Sequence, residues 1–114
     1  MTNSYGLTED DMAKIAEAIR QFDEIAVVVL FGSRAKGNYK PGSDVDLAVK
    51  GDRITPRTIA QLAGLLNEEL PLPYCFDVVD YSTLENQPLA DHIDRVGVTI
   101  YDRAKIISQN FSKL

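Results

Sequence analysis

The run Ile25-Ala26-Val27-Val28-Val29-Leu30-Phe31, stopped by Gly32, constrains this chain more than any other segment. It is rich in β-branched residues, too short for a helix of its own and too uniformly apolar for a strand with one wet face. It therefore reads as a central strand covered on both sides. It is also far shorter than the roughly 20 residues that cross a bilayer. The start Met1-Thr2-Asn3-Ser4 has no basic region leading into an apolar one, so no membrane partner and a cytoplasmic location are expected. A chain of 114 residues can bury one core around such a strand but not two. A single domain over 1–114 is expected, with its core over about 8–101.

The segments around this strand alternate in period. Thr8 is placed to cap a helix over about 8–22, with Asp11 three residues on and Met12, Ile15, Ala16, Ile19 and Phe22 forming one apolar stripe. Asp44 to Lys50 reads as a second strand. In it Val45, Leu47 and Val49 point one way while Asp44, Asp46 and Ala48 point the other. Thr55-Pro56 opens a helix over about 56–70, with Ile59, Leu62, Ala63, Leu66 and Leu70 as its buried stripe and Pro71 as its stop. Tyr74 to Asp80 predicts a third strand, Pro88 to Val96 a third helix closed by Gly97, and Val98 to Tyr101 a short last strand. The tail 102–114 contains Ile106, Ile107 and Phe111 without a clear period; a short helix or an arm that docks on a partner is expected there. The whole predicts an α/β (α+β) domain, a small mixed β-sheet with helices packed on it. Strand order is not legible from this pattern.

Charge and rare residues exclude several classes. The net charge of -5 provides no general basic field to draw the chain onto a long nucleic acid. A lone cysteine, Cys75, and a lone histidine, His92, cannot form a disulfide or a Cys/His metal cluster. Cys75 lies in the third predicted strand and is expected to be a buried, inert thiol. His92 is expected to be a surface or satisfied helical residue.

The chemistry is concentrated in Phe31-Gly32-Ser33-Arg34-Ala35-Lys36-Gly37-Asn38-Tyr39-Lys40-Pro41-Gly42-Ser43-Asp44-Val45-Asp46-Leu47. Gly32 directly follows the buried strand, where the lack of a Cβ allows a sharp turn and close approach of backbone to a ligand. Ser33 adds a hydroxyl beside the freed N–H groups, a combination suited to phosphate oxygens. Asp44 and Asp46, two apart on one strand face, can bracket divalent cations that also hold phosphates. Without metal, acids and phosphates at about 4 Å repel by roughly 4 kcal/mol per unit pair at an effective dielectric of ~20, so Mg²⁺ is implied. Asp77, amid Cys75-Phe76-Val78-Val79, is the natural third acid, because a carboxylate there is costly without a partner. Asp80 falls on the opposite strand face at the strand's end, where capping the next turn is its expected work. Taken singly, these features also suit an ordinary strand-to-loop turn, a strand-entry Asx turn and a solvated edge position. Gly32, Gly37 and Gly42 are each five apart and no Gly-Lys-Ser/Thr occurs, so neither a Walker A loop nor a dinucleotide fingerprint fits.

Together these residues resemble the polymerase-β-type nucleotidyltransferases, whose pattern is Gly-Ser, ten residues, then Asp-x-Asp, with a third acid on a later strand. Gly32, Ser33, Asp44 and Asp46 fit it without a gap, and Arg34, Ala35, Gly37, Ser43 and Leu47 extend the likeness to the minimal nucleotidyltransferases of bacteria and archaea. The resemblance implies the nucleotidyltransferase fold, with Gly32 and Ser33 on the β- and γ-phosphates of ATP or another nucleoside triphosphate. It implies two Mg²⁺ ions on Asp44 and Asp46, with Asp77 on the metal that activates the acceptor hydroxyl. Arg34 and Lys36 are carried as candidate phosphate contacts.

Larger members of that family have a further domain for base and acceptor, and this chain has no room for one. The minimal subgroup is often paired with a helical HEPN-type protein, in pairs resembling toxin–antitoxin systems in which AMP is attached to a tyrosine of the toxin. The resemblance thus implies an adenylyltransferase acting on a hydroxyl of a partner protein. Two other readings stay open: a module that neutralises a helical partner by contact alone, and a small-molecule nucleotidyltransferase whose acceptor site lies on a partner.

Overall fold

The computed structural model describes residues 3–105. The tail expectation therefore lies outside the described residues from 106 onward. Four strands, β1 (Val27–Phe31), β2 (Val45–Lys50), β3 (Phe76–Asp80) and β4 (Val98–Asp102), form one sheet in the order β3-β2-β1-β4. Strand β1 runs antiparallel to both β2 and β4, whereas β2 and β3 are parallel. The apolar run is thus central, as its composition requires. Its first two residues precede the strand, but Ala26 N–H already donates to Lys50 O at 2.9 Å.

Helix α1 (Glu9–Arg20) begins with the expected capping box: Asp11 N–H donates to Thr8 Oγ1 at 2.9 Å, and Thr8 N–H donates to Asp11 Oδ2 at 3.0 Å. Between β1 and β2 lies a single turn and a half of helix, α2 (Gly32–Lys36). Helix α3 (Pro56–Gly64) is capped by Thr55 and widens over Leu65–Glu69 into a π-helical turn, closed by Leu70 N–H on Leu65 O at 3.0 Å. That widening lets Leu66 stay buried while Asn67 turns to β3. Asn67 Nδ2 donates to Phe76 O at 3.0 Å, and Phe76 N–H donates to Asn67 Oδ1 at 2.7 Å. One amide side chain thereby satisfies a main-chain pair at the head of the edge strand, where exposed donors and acceptors invite mispairing. A 3-10 turn (Tyr81–Thr83) and helix α4 (Gln87–Val96), capped by Asn86, lead to β4.

The two faces of the sheet carry separate apolar clusters. Val28, Leu30, Val45, Leu47, Val49 and Phe76 pack under Ile15 and Ile19 of α1 and Leu62 of α3. Each such side chain contributes about 1.5–3 kcal/mol by leaving water, which makes this the main core. On the opposite face Val29, Phe31 and Ala48 pack under Ile93, with Leu89 and Val79 at the margin, so α4 covers only part of that face. The remainder, beside Phe31 and Ala48, carries the acids.

Cys75 departs from expectation, being exposed. Strand β3 begins at Phe76, two residues later than expected, and Phe76 takes the inward position, which leaves Cys75 outward ahead of the strand.

Candidate functional site

The site is assembled where β1 ends beside the first half of β2. Phe31 is the register partner of Asp46. After Phe31 the chain must turn away from the sheet into α2, and Gly32 does so at φ +75°, in the left-handed region that costs other residues about 1–2 kcal/mol. A Cβ on Gly32 would collide with Asp46 Oδ2, so the carboxylate of Asp46 lies directly against the Gly32 backbone. Ser33 follows, half-buried in the first turn of α2. The expected phosphate turn and one of the expected metal acids, Asp46, are therefore in contact.

The three acids share one side. Asp46 and Asp77 are direct Cα partners across the parallel β2/β3 ladder, so their side chains leave the sheet on the same face. Asp44, exposed, stands just before β2. Burial is the largest cause pushing the half-buried Asp46 carboxyl up, to about 6, followed by the charge of Asp77 and then that of Asp44. The charges of Asp77 and Asp44 thus both bear on Asp46, behind its burial. Among the described residues no three His, Cys, Asp or Glu side chains already converge as a metal-holding group. Asp77 itself is exposed, so the argument that burial alone demands a partner for it does not hold. Its link to the site is the register with Asp46. Asp80 does cap the following 3-10 turn, accepting from Ser82 N–H at 3.1 Å and Ser82 Oγ at 2.8 Å.

Arg34, carried as a phosphate contact, is instead buried, with 2% of its surface exposed. Its Nε and Nη2 donate to Ser43 O at 3.1 and 2.9 Å, and its Nη1 donates to Tyr5 O at 2.8 Å. The guanidinium also stacks against Tyr39 and Tyr74, 5.1 and 4.9 Å from the ring centroids. A planar, weakly hydrated cation suits such a stack, and its fork grips a carbonyl with two bonds. Arg34 therefore ties the loop before β2 to the N-terminal segment and fixes the carbonyl adjoining Asp44. The loop is further shaped by a turn in which Gly42 sits at φ +85° after Pro41, with Ser43 N–H on Lys40 O at 2.9 Å. Lys36 is exposed at the end of α2.

Two pairings escaped the sequence reading, although His92 is the satisfied helical residue expected. Tyr74 donates its hydroxyl to Asp11 Oδ2 at 2.6 Å, which joins α1 to the Arg34 stack. The bond pushes the Tyr74 hydroxyl up, while Asp11 is held below the ordinary carboxylate range, its burial opposed by the bonds from Tyr74 and Thr8. His92, on α4, accepts a hydrogen bond from Gly32 N–H at 3.2 Å through Nε2 and meets the Phe31 ring edge-on, centroids 6.1 Å apart. No local pattern marks either pairing, since the partners are far apart in sequence.

Comparison with known proteins yields a family match and several fold matches. The family described as polymerase beta, nucleotidyltransferase matches residues 13–106. No curated protein matches the chain. Among solved structures, a toxin–antitoxin with AMP-PNP contains a chain 23% identical over 90% of this one and 88% of its own length, with a TM-score of 0.68. A chain of the MntA–HepT toxin–antitoxin is 21% identical over 86% of this chain and 75% of its own, with a TM-score of 0.64. The complex of a tri-AMPylated Shewanella oneidensis HEPN toxin with its MNT antitoxin gives 21% identity over the same shares and a TM-score of 0.62. These three are likenesses of fold.

Proposed function

Because the chain belongs to the polymerase β nucleotidyltransferase family, we propose that it transfers a nucleoside monophosphate, AMP from ATP, to a hydroxyl of a helical HEPN-type partner protein and thereby acts as an antitoxin. The observation that carries this reading is the contact of the Asp46 carboxylate with the Gly32 backbone, with Asp77 in register beside Asp46. A triphosphate on the Gly32-Ser33 turn then lies against the acids. The likeness of fold to chains of toxin–antitoxin complexes, one with AMP-PNP and one with an AMPylated HEPN toxin, supports the choice of nucleotide and acceptor.

The donor set fits divalent cations. Asp77 leaves the sheet on the same face as Asp46, and after burial it is the charges of Asp77 and then Asp44 that raise Asp46, a share that a cation would relieve. Asp44 and Asp46 would hold two Mg²⁺ ions, with Asp77 on the one nearer the acceptor. Bound there, the metals supply charge neutralisation of the transferred phosphoryl group and a lowered acceptor pKa. The chain's own work is positional. The N–H of Gly32 and the hydroxyl of Ser33 orient the β- and γ-phosphates. Arg34, through Ser43, holds Asp44 at the head of β2. The α-phosphorus is thereby presented to an in-line hydroxyl, which gives up its proton to solvent, and the Pα–O bond to pyrophosphate breaks as the new Pα–O bond forms.

ATP labelled at the α- or the γ-phosphate, with Mg²⁺ and the protein encoded by the adjacent gene, tests this. Only α-label should appear on the partner, and Asp44→Asn or Asp46→Asn should abolish it while the complex still forms. Absence of label from all four triphosphates sinks the reading. Neutralisation of the partner that persists in both Asp variants supports the contact-only module instead.

A further inference from the structure

The Gly32 N–H already has an intramolecular acceptor, the Nε2 of His92 at 3.2 Å. The imidazole is set there by α4, whose next residue, Ile93, is buried in the second apolar cluster, and by the edge-on contact with Phe31. An accepting ring nitrogen presents a lone pair, as does a phosphate oxygen. Both cannot take one N–H, and the two lone pairs repel at close range.

We propose that His92 sets the affinity for the triphosphate, standing on the Gly32 N–H in place of a phosphate oxygen and being displaced when the nucleotide binds. The inference rests on the reading above, that the Gly32-Ser33 turn grips a triphosphate. His92 acts through the Gly32 N–H, since whatever oxygen takes that donor enters the position the imidazole leaves. Gly32 is half-buried rather than sealed, so water can serve its N–H when the imidazole is removed. The bond broken on binding then disappears from the balance, and affinity rises.

The test is the affinity of the full chain for a non-hydrolysable ATP analogue with Mg²⁺, measured by calorimetry for the wild type and for His92→Ala, His92→Leu and His92→Gln. Leu retains packing against Phe31 if Ala disturbs α4, and Gln restores an acceptor at a similar reach. Ala and Leu should each tighten binding about 2- to 12-fold, the equivalent of a net hydrogen bond of ~0.5–1.5 kcal/mol, and Gln should remain within about 2-fold of wild type. In the absence of nucleotide, the Gly32 amide resonance should move in Ala and Leu and hold its place in Gln. Binding by the wild type that is unchanged or weakened in both Ala and Leu overturns the role of His92 alone. No binding by the wild type overturns the triphosphate reading of the turn, and this inference with it.

Discussion

Asp46 offers a quantitative test of the electrostatics, because the fold holds its carboxyl at about 6 against an ordinary 3.8. The folded protein therefore binds this proton more tightly than the unfolded chain does. The sign follows: stability from this group is greatest below about pH 4, declines as pH rises from about 4 to about 6, and is level above. The full gap corresponds to ~3 kcal/mol at ~1.4 kcal/mol per pH unit. Asp46 is only half-buried, and screening by solvent reduces the cost to ~1 kcal/mol. Asn has the same shape and no proton to lose. Asp46→Asn should thus melt with the wild type near pH 4 and about 4 °C above it at pH 7.5, in EDTA so that no divalent cation masks the repulsion. Circular dichroism melts across that pH range measure the difference. A variant no more stable than wild type at pH 7.5, or a difference that ignores pH, would refute the account of Asp46 as a carboxyl raised by burial and by the charges of Asp77 and Asp44.

Arg34→Lys should lower stability by ~2–3 kcal/mol in urea titration, since a point cation cannot keep both bonds to Ser43 O and the stack between Tyr39 and Tyr74; a change within about 0.5 kcal/mol contradicts the clasp. Gly32→Ala should abolish nucleotide transfer and cost at least ~1–2 kcal/mol of stability, because the residue sits at positive φ and its Cβ would strike Asp46. Full activity in that variant removes the close approach from the mechanism. Asn67→Ala should cost ~2 kcal/mol by freeing both Phe76 main-chain groups, read as a lower urea midpoint. Cys75 should react fully with a thiol-specific chromogenic disulfide in the native protein; a thiol that reacts only after denaturant is added contradicts its exposure.

Local pattern carried much of this protein. The Thr8/Asp11 capping box, the Thr55-Pro56 start, the uniformly apolar β1 and the alternation in β2 are all decided by neighbours within a few residues, and the structure has each of them. The same locality made Gly32, Ser33, Asp44 and Asp46 legible as a candidate site, because strand, turn and acids lie in one continuous stretch. Even so, local reasoning misplaced Cys75, since β3 begins at Phe76, two residues after the expected start at Tyr74, and leaves Cys75 exposed ahead of the strand. It also put Arg34 at a phosphate. Loop arginines are usually solvated, and nothing nearby in sequence announces that Tyr5, Tyr39, Ser43 and Tyr74 will enclose this one.

Only the tertiary structure could decide the rest, because the deciding contacts join residues distant in the chain. The pairing of β2 with β3 in parallel sets Asp77 beside Asp46, and without that register its assignment had rested on a burial that the open edge strand does not impose. The packing of α4 over half a sheet face brings His92 to Gly32. The sequence by itself determined which residue types are available and which local conformations they adopt; strand order and helix docking, which depend on the fit of whole faces, decided which of them meet.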